Sequence, residues 1–171
     1  MAGTFKKENN MKLKDFLAKV NLNSLKFTVP FMEMEFSIST ADKDAAWELY
    51  VELLTRCATR KLKADEGENE EVLASLYSLF GTTREILKKY KSDCVNFSKI
   101  AIAVLNQLIR PFLSKWHKLS LNMQNSNMNW NGFREELEIL QCKLNEYLIL
   151  LAEMAGVEDF SQIIEDNTSV L

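Results

Sequence analysis

The sequence is poor in the residues that most catalytic and metal sites need. It has one histidine, five glycines, two prolines and three cysteines in 171 residues. A di-iron bundle needs Glu-x-x-His motifs from two helices, so His117 alone excludes that class. The glycines form no G-x-x-x-x-G-K-[ST], G-x-G-x-x-G or G-x-S-x-G motif, and no H-E-x-x-H zinc motif is present. The sequence therefore favours a non-enzymatic protein without a metal or cofactor.

The cysteines and the hydropathy profile bear on the compartment. Cys57, Cys94 and Cys142 are odd in number and form no C-x-x-C pair, which argues against a disulfide framework or a zinc site. We expect buried or half-buried thiols in a reducing compartment. No apolar run reaches the length of a transmembrane helix, and the start MAGTFKKENN has no apolar core typical of a secretory signal. These features predict a soluble cytoplasmic protein.

The charge is nearly balanced but unevenly distributed. There are 21 Lys and Arg against 24 Asp and Glu, a formal net charge of −3, which lacks the basic excess of nucleic-acid-binding proteins. Residues 1–30 hold six lysines against Glu8 and Asp15, a charge of +4, which leaves −7 for the remainder. This basic arm has three candidate contacts: its own acidic body, a partner protein, or phosphates.

Apolar spacing predicts secondary structure at the N-terminus. At 47% apolar residues, the chain has the length and composition of one globular domain. Residues 11–20 carry apolar side chains at helical spacing and predict a short amphipathic helix. The runs LKFTV and MEMEFSI, at 25–29 and 32–38, alternate apolar and polar residues on either side of Pro30. That alternation predicts a β-hairpin, which must pack on something larger to be stable.

Four longer helical segments follow. The first begins at a cap on Ser39 or Thr40, the second runs from about 70 to 90, the third from about 94 to 119, and the fourth from 133 to 154. Gly81 is expected to bend or break the second helix. The fourth has an a/d pattern over three heptads, and Gly156 is a natural stop. We predict a mainly α fold: an antiparallel four-helix bundle capped by the N-terminal short helix and β-hairpin.

The predicted elements divide the chain into three parts. Residues 1–40 are the arm, short helix and hairpin packed on the bundle, 41–156 are the bundle, and 157–171 are an acidic tail. In the tail, Phe160, Ile163 and Ile164 are expected to form one last docked turn, before a frayed end.

The most unusual local chemistry is the segment IRPFLSKWHKLS. Pro111 removes the backbone bond to Gln107, so we expect a kink or break in the helix. The cluster that follows it comprises Arg110, Lys115, Trp116, His117 and Lys118. One hypothesis is a cleft for an anionic small molecule or nucleotide, in which Arg110 and Lys118 bind the anion, Trp116 stacks and His117 titrates. The alternative is that Trp116 belongs to the core and the cations are solvated.

A second candidate surface lies in the Asn-rich stretch LNMQNSNMNWNG. Met123, Met128 and Trp130 form an adaptable protein-binding surface if they are exposed. The alternative is that they are lid residues over the bundle core. The sequence does not distinguish the two.

Four phrases carry a family resemblance: AAWELYVELLTRCAT, LYSLFGTTREILKKY, VLNQLIRPFLSKWHKLS and FREELEILQCKLNEYLILLAEMAGVEDF. Residues 41–160 resemble small uncharacterised bacterial all-helical proteins that are associated with conflict and antiphage-defence loci. The resemblance implies an accessory or interaction role in bacteria and assigns no functional residue. We therefore expect an interaction module that binds a protein partner or a second copy of itself. A ligand-sensing bundle for a small anion is the alternative, and no membrane contact is expected.

Overall fold

The computed structural model describes residues 11–22, 24–26, 32, 35–56, 59, 69–121 and 130–161, without the side chains of 35 and 118–121. This part of the chain is mainly helical, as the sequence predicts. Its elements are β1 (Met11–Lys12), α1 (Leu13–Lys19), β2 (Glu35–Phe36), α2 (Thr40–Leu54), α3 (Asn69–Tyr90), a 3-10 turn (Lys91–Asp93), α4 (Val95–Val104), a π-turn (Leu105–Ile109), α5 (Arg110–Leu121) and α6 (Phe133–Ala155).

The N-terminal helix forms where its apolar spacing predicts it. Leu13, Phe16 and Leu17 of α1 are buried in the core. The two-residue strands pair antiparallel, with Met11 opposite Phe36, and the rings of Phe16 and Phe36 lie 5.0 Å apart. The predicted hairpin around Pro30 is not confirmed. Residues 27–31 lie outside the described part of the chain, Leu25 and Lys26 belong to no strand, and the described partner of β2 is β1.

A capping box begins α2, as the Ser39 prediction requires. Asp42 Nα donates to Ser39 Oγ (3.0 Å), and Ser39 N donates back to Asp42 Oδ2 (3.0 Å). Asp42 is only 1% exposed. Its second oxygen, Oδ1, accepts a hydrogen bond from the backbone N–H of Phe97 (2.8 Å) in the first turn of α4. The carboxylate thus caps two helices, and Cys94, at the N-cap of α4, makes no side-chain cap of its own.

Gly81 does not interrupt α3. The helix is continuous from Asn69 to Tyr90, so the predicted break is wrong, whereas the bend stays a prediction. A Cβ built on Gly81 would meet no atom within 4 Å, and the backbone there is ordinary helix. The weak propensity of one glycine costs only about 1 kcal/mol. The burial of Val72, Leu76, Leu79 and Ile86 on the same helix outweighs that cost.

Pro111 does not break the helix that contains it. The π-turn joins α4 directly to α5, and the N–H of Arg110 bonds to the carbonyl of Leu105, five residues earlier. A proline ring clashes with the carbonyl four residues before it, here that of Gln107, and a wider turn relieves the clash. The predicted break is therefore wrong, a π-turn accommodates the proline instead, and the kink stays a prediction.

The fourth predicted helix is confirmed as α6. All seven residues of its a/d pattern are buried: Phe133, Leu137, Leu140, Leu144, Tyr147, Leu151 and Met154. Gly156 ends the helix with φ at +73°, a left-handed conformation that glycine adopts without steric cost. The apolar face of α6 packs chiefly on α2, while α2 also contacts α3 and α4, and α5 contacts both α3 and α6.

The basic arm contacts the acidic body of its own chain. Lys19 of α1 forms an ion pair with Glu153 of α6, and Lys143 of α6 donates to the backbone carbonyl of Asn21 (3.4 Å). The side chain of Gln107 bonds both backbone groups of Lys26, at 2.7 Å each. Of the three contacts open to the arm, the described residues form the first.

The start of the C-terminal tail is held against α2. The Tyr50 hydroxyl donates to Asp159 Oδ1 (3.0 Å) and accepts the N–H of Phe160 (2.6 Å). Ile163 and Ile164, which the predicted docked turn includes, lie outside the described residues. The division into three parts stays a prediction.

Candidate functional site

The residues predicted to bind a ligand near Pro111 lie on α5, but the described side chains do not converge on one cleft. Trp116 is 2% exposed, whereas Arg110, Lys115 and His117 are exposed. The side chain of Lys118 lies outside the described residues. Trp116 and Arg110 contact different neighbouring helices.

Trp116 belongs to an aromatic cluster between α5 and α6. Its ring stacks on that of Trp130, at 6.1 Å between centroids, and meets Phe133 edge-on at 5.0 Å. Phe112 completes the cluster, 5.4 Å from Phe133. The indole Nε1 donates to Glu136 Oε2 (3.1 Å), which satisfies the polar edge of a buried ring. Trp116 is therefore a core residue in this structure, which is the alternative that the sequence left open.

Lys115, next to Trp116 in the sequence, also contacts Glu136 of α6. Its ammonium forms an ion pair with Glu136 and lies 5.1 Å from the centroid of the Trp116 ring. The hydrogen bond from Lys115, with a second from Trp116, holds the pKa of the Glu136 carboxyl below its ordinary value, against the effect of burial. Lys115 and Trp116 thus attach α5 to α6 through one carboxylate.

The predicted methionine surface is only partly described. Met123 and Met128 lie outside the described residues. Trp130 is half-buried, because its ring packs against Trp116 and, at 4.8 Å, against Phe133. Among the described residues, Trp130 contributes to the core more than to a surface.

Arg110 lies at the surface between α5 and α3, in an ordered position. Its Nε donates to Asn106 Oδ1 (2.8 Å), and Asn106 is itself anchored through Nδ2 to the carbonyl of Ile102 (2.8 Å). The guanidinium carbon lies 5.1 Å from the centroid of the Phe80 ring. Tyr77, one turn before Phe80 on α3, is 72% exposed, with its ring 6.4 Å from that of Phe80. We call Tyr77, Phe80, Asn106 and Arg110 the Arg110 cluster.

The π-turn contributes to this cluster. Asn106 is part of it, and Arg110 follows its last residue. Such turns occur often at functional sites. The sequence pattern pointed to Arg110 but not to the roles of Tyr77, Phe80 and Asn106 in this cluster. Tyr77 carried a usable signal, because it is a large aromatic residue that lies off the apolar stripe of its helix.

A small cavity lies in the core on the other side of the π-turn. It is lined by Leu49, Leu53, Leu79, Thr83, Ala101, Val104, Leu105, Ile109 and Tyr147. Its volume is about 10 Å³, which is room for about one water molecule and not for a nucleotide. Arg110, Trp116 and His117 do not line it, so the hypothesis of an anion-binding cleft stays a prediction.

The described residues offer no arranged metal site and two free cysteines. No group of three His, Cys, Asp or Glu side chains there is arranged to hold a metal ion. Cys94 is buried and free, as expected. Cys142 is free but exposed on α6, so the expectation of a buried or half-buried thiol is wrong there. Cys57 lies outside the described residues.

Comparisons of this chain with protein-family models, with curated proteins and with solved structures find no match. The resemblance to bacterial defence-associated proteins therefore stays a prediction. Among the described residues, no helix combines the length and apolar character needed to cross a membrane.

Proposed function

We propose that this chain is a non-enzymatic helical interaction module that binds a protein partner through the Arg110 cluster. The observation that carries the proposal is the exposure of Tyr77 beside an arginine held in place by Asn106 and Phe80. Tyrosine and arginine are among the residue types that contribute most binding energy at protein interfaces. An exposed tyrosine that packs on only one neighbouring ring leaves most of its surface for a partner to cover.

Rigidity of the supporting helices favours this role. Leu76 and Leu79, which flank Tyr77 on α3, are both buried, so the backbone under the cluster is anchored in the core. Association costs less free energy when the contact residues are ordered beforehand. We further propose that α2, α3, the continuous helix from α4 to α5, and α6 form the predicted antiparallel four-helix bundle, which would present the cluster on an outer face.

The proposal is tested by comparing three single variants. Tyr77→Ala and Arg110→Ala remove the two ends of the cluster, and Ile139→Ala removes an apolar side chain that is 66% exposed on α6. Each tagged chain is used to capture partners from its native lysate, with quantitative mass spectrometry. We expect one protein to be lost with both cluster variants and retained with Ile139→Ala.

Light scattering after size-exclusion chromatography, at several concentrations, tests whether that partner is a second copy. Because all three side chains are exposed, circular dichroism and melting temperature should match the parent protein. Equal capture by the parent and both cluster variants, with no concentration-dependent assembly, would refute the proposal.

A further inference from the structure

Acidic residues are absent from two long stretches of this otherwise acidic chain. The sequence has 24 Asp and Glu, yet residues 72–84 and 94–134 contain none. The first stretch covers the part of α3 that bears Tyr77 and Phe80. The second covers α4, the π-turn and α5. Within these stretches the helices that carry the Arg110 cluster supply only neutral and cationic side chains, and Glu85 is the first acidic residue after them on α3.

The guanidinium of Arg110 is held so that one edge stays open. Its Nε is used by Asn106, and one face lies over Phe80. Within the described residues, no carboxylate pairs with it. The Nη1 and Nη2 groups together form a planar pair of donors that matches the two oxygens of a carboxylate.

A second cation lies near the cluster on α3. Arg84 is exposed and comes four residues after Phe80, so it shares that side of the helix. By contrast, Lys115, the next cation after Arg110 on α5, is already paired with Glu136. The surface therefore offers two arginines, of which one is fixed, together with a pair of aromatic rings.

We infer that the partner docks an acidic segment on this surface, with an Asp or Glu carboxylate on Nη1 and Nη2 of Arg110 and an apolar side chain over Tyr77. This inference rests on the proposed function and names the chemistry of the partner. Bidentate carboxylate recognition fixes orientation, and burial of the tyrosine ring supplies the apolar contact.

A protein segment fits this surface better than a nucleic acid does. Nucleic-acid binding depends on several cations that neutralise consecutive phosphates. Here one arginine is fixed beside an apolar pair of rings, which matches one carboxylate with a neighbouring apolar side chain. Nucleic-acid binding is accordingly one of the outcomes that the experiment below distinguishes.

The inference is tested by fluorescence anisotropy with defined probes. The probes are a labelled peptide of alternating Glu and Leu, its Lys and Leu counterpart, and a single-stranded oligonucleotide. We expect only the Glu-containing peptide to bind, with affinity that falls as salt rises because exposed charges are screened. Arg110→Ala and Tyr77→Ala should each weaken it at least about tenfold, the equivalent of about 1.4 kcal/mol.

Conservative and remote variants make the test specific. Arg110→Lys keeps the charge but loses the planar fork, so we expect it to weaken the acidic peptide severalfold, and Ile139→Ala should leave affinity unchanged. Equal binding of the Lys-containing peptide, tighter Arg110-dependent binding of the oligonucleotide, or no Arg110-dependent binding of the acidic peptide would each overturn the inference. If Tyr77→Ala still abolishes capture of the native partner in those cases, the proposed function survives and only the acidic chemistry fails.

Discussion

Replacement of Asp42 by alanine tests whether one buried carboxylate joins two helices. Its Oδ2 accepts the backbone N–H of Ser39 at the start of α2, and its Oδ1 accepts the N–H of Phe97 in the first turn of α4. Both helix N-termini carry partial positive charge, which favours a carboxylate at this position. The Asp42→Ala variant removes these two hydrogen bonds together with the contact between Ser39 Oγ and Asp42 Oδ2 (2.9 Å).

The two ends contribute different amounts. Loss of the capping interaction at Ser39 costs about 1 kcal/mol, because water can replace the acceptor at that exposed position. The Phe97 N–H is buried, so its loss of a partner costs about 1–3 kcal/mol. We expect a total near 3 kcal/mol, which for a chain of this size lowers the melting temperature by about 6–12 °C.

Two matched variants separate these contributions. Ser39→Ala removes the α2 cap and the hydrogen bond from Ser39 Oγ to the Asp93 carbonyl (2.9 Å) but leaves the Asp42–Phe97 bond in place, and it should cost about 1 kcal/mol. Asp44→Ala removes an exposed carboxylate two residues from Asp42 and should change stability by less than about 0.5 kcal/mol. Urea unfolding followed by circular dichroism measures all three, with a constant slope required for the comparison. A cost for Asp42→Ala no greater than that for Ser39→Ala would refute the idea that Asp42 caps α4.

Three further predictions concern glycines, a buried hydroxyl and an ion pair. Gly156→Ala should destabilise the protein by about 1–2 kcal/mol, because φ at this position is +73°. Gly81→Ala should stabilise it by about 1 kcal/mol, because the backbone is helical and a Cβ there meets no other atom. Thermal unfolding compares the two variants. Burial raises the pKa of Tyr147, whose hydroxyl has no partner among the described residues. The parent and the Tyr147→Phe variant should therefore show the same phenolate absorbance at every pH below that of unfolding, and the substitution should not destabilise. The Lys115 hydrogen bond lowers the pKa of Glu136. The stabilisation from this ion pair is therefore present above pH 4.5, the ordinary pKa, and is lost as the pH falls through the lowered pKa. Urea unfolding at several pH values should show that Glu136→Gln flattens this part of the stability profile.

Local sequence pattern was a sufficient guide to most helices but not to their interruptions. The a/d spacing of α6 and the cap at Ser39 were both predicted, because each depends on residues within a few positions of one another. Neither Gly81 nor Pro111 breaks its helix, although a break was one predicted outcome at each. Propensity measures the cost of such residues in isolation, and burial of neighbouring side chains, or a shift to a π-turn, compensates for it.

In the candidate site, too, local sequence predicted one residue, and helix packing decided its neighbours. Arg110 was selected from its cluster of cations and its position beside Pro111. Phe80 and Tyr77, which complete its surroundings, lie some 30 positions earlier on another helix, and nothing in the local spacing of either segment sets the register between them. For Trp116 the local sequence was misleading. The cations beside it in the sequence suggested ligand binding, but Phe133 and Trp130 bury its ring.

The sequence by itself determined the mainly helical class, the core-facing stripe of each helix, the N-cap of α2 and the uneven distribution of charge. Those properties follow from short-range geometry, since side chains three and four residues apart share a helix face. Only the tertiary structure decided that Asp42 reaches Phe97, that the basic arm contacts its own body, and that Arg110 lies over Phe80. These contacts join residues 30 to 134 positions apart, so they depend on how whole helices pack against one another.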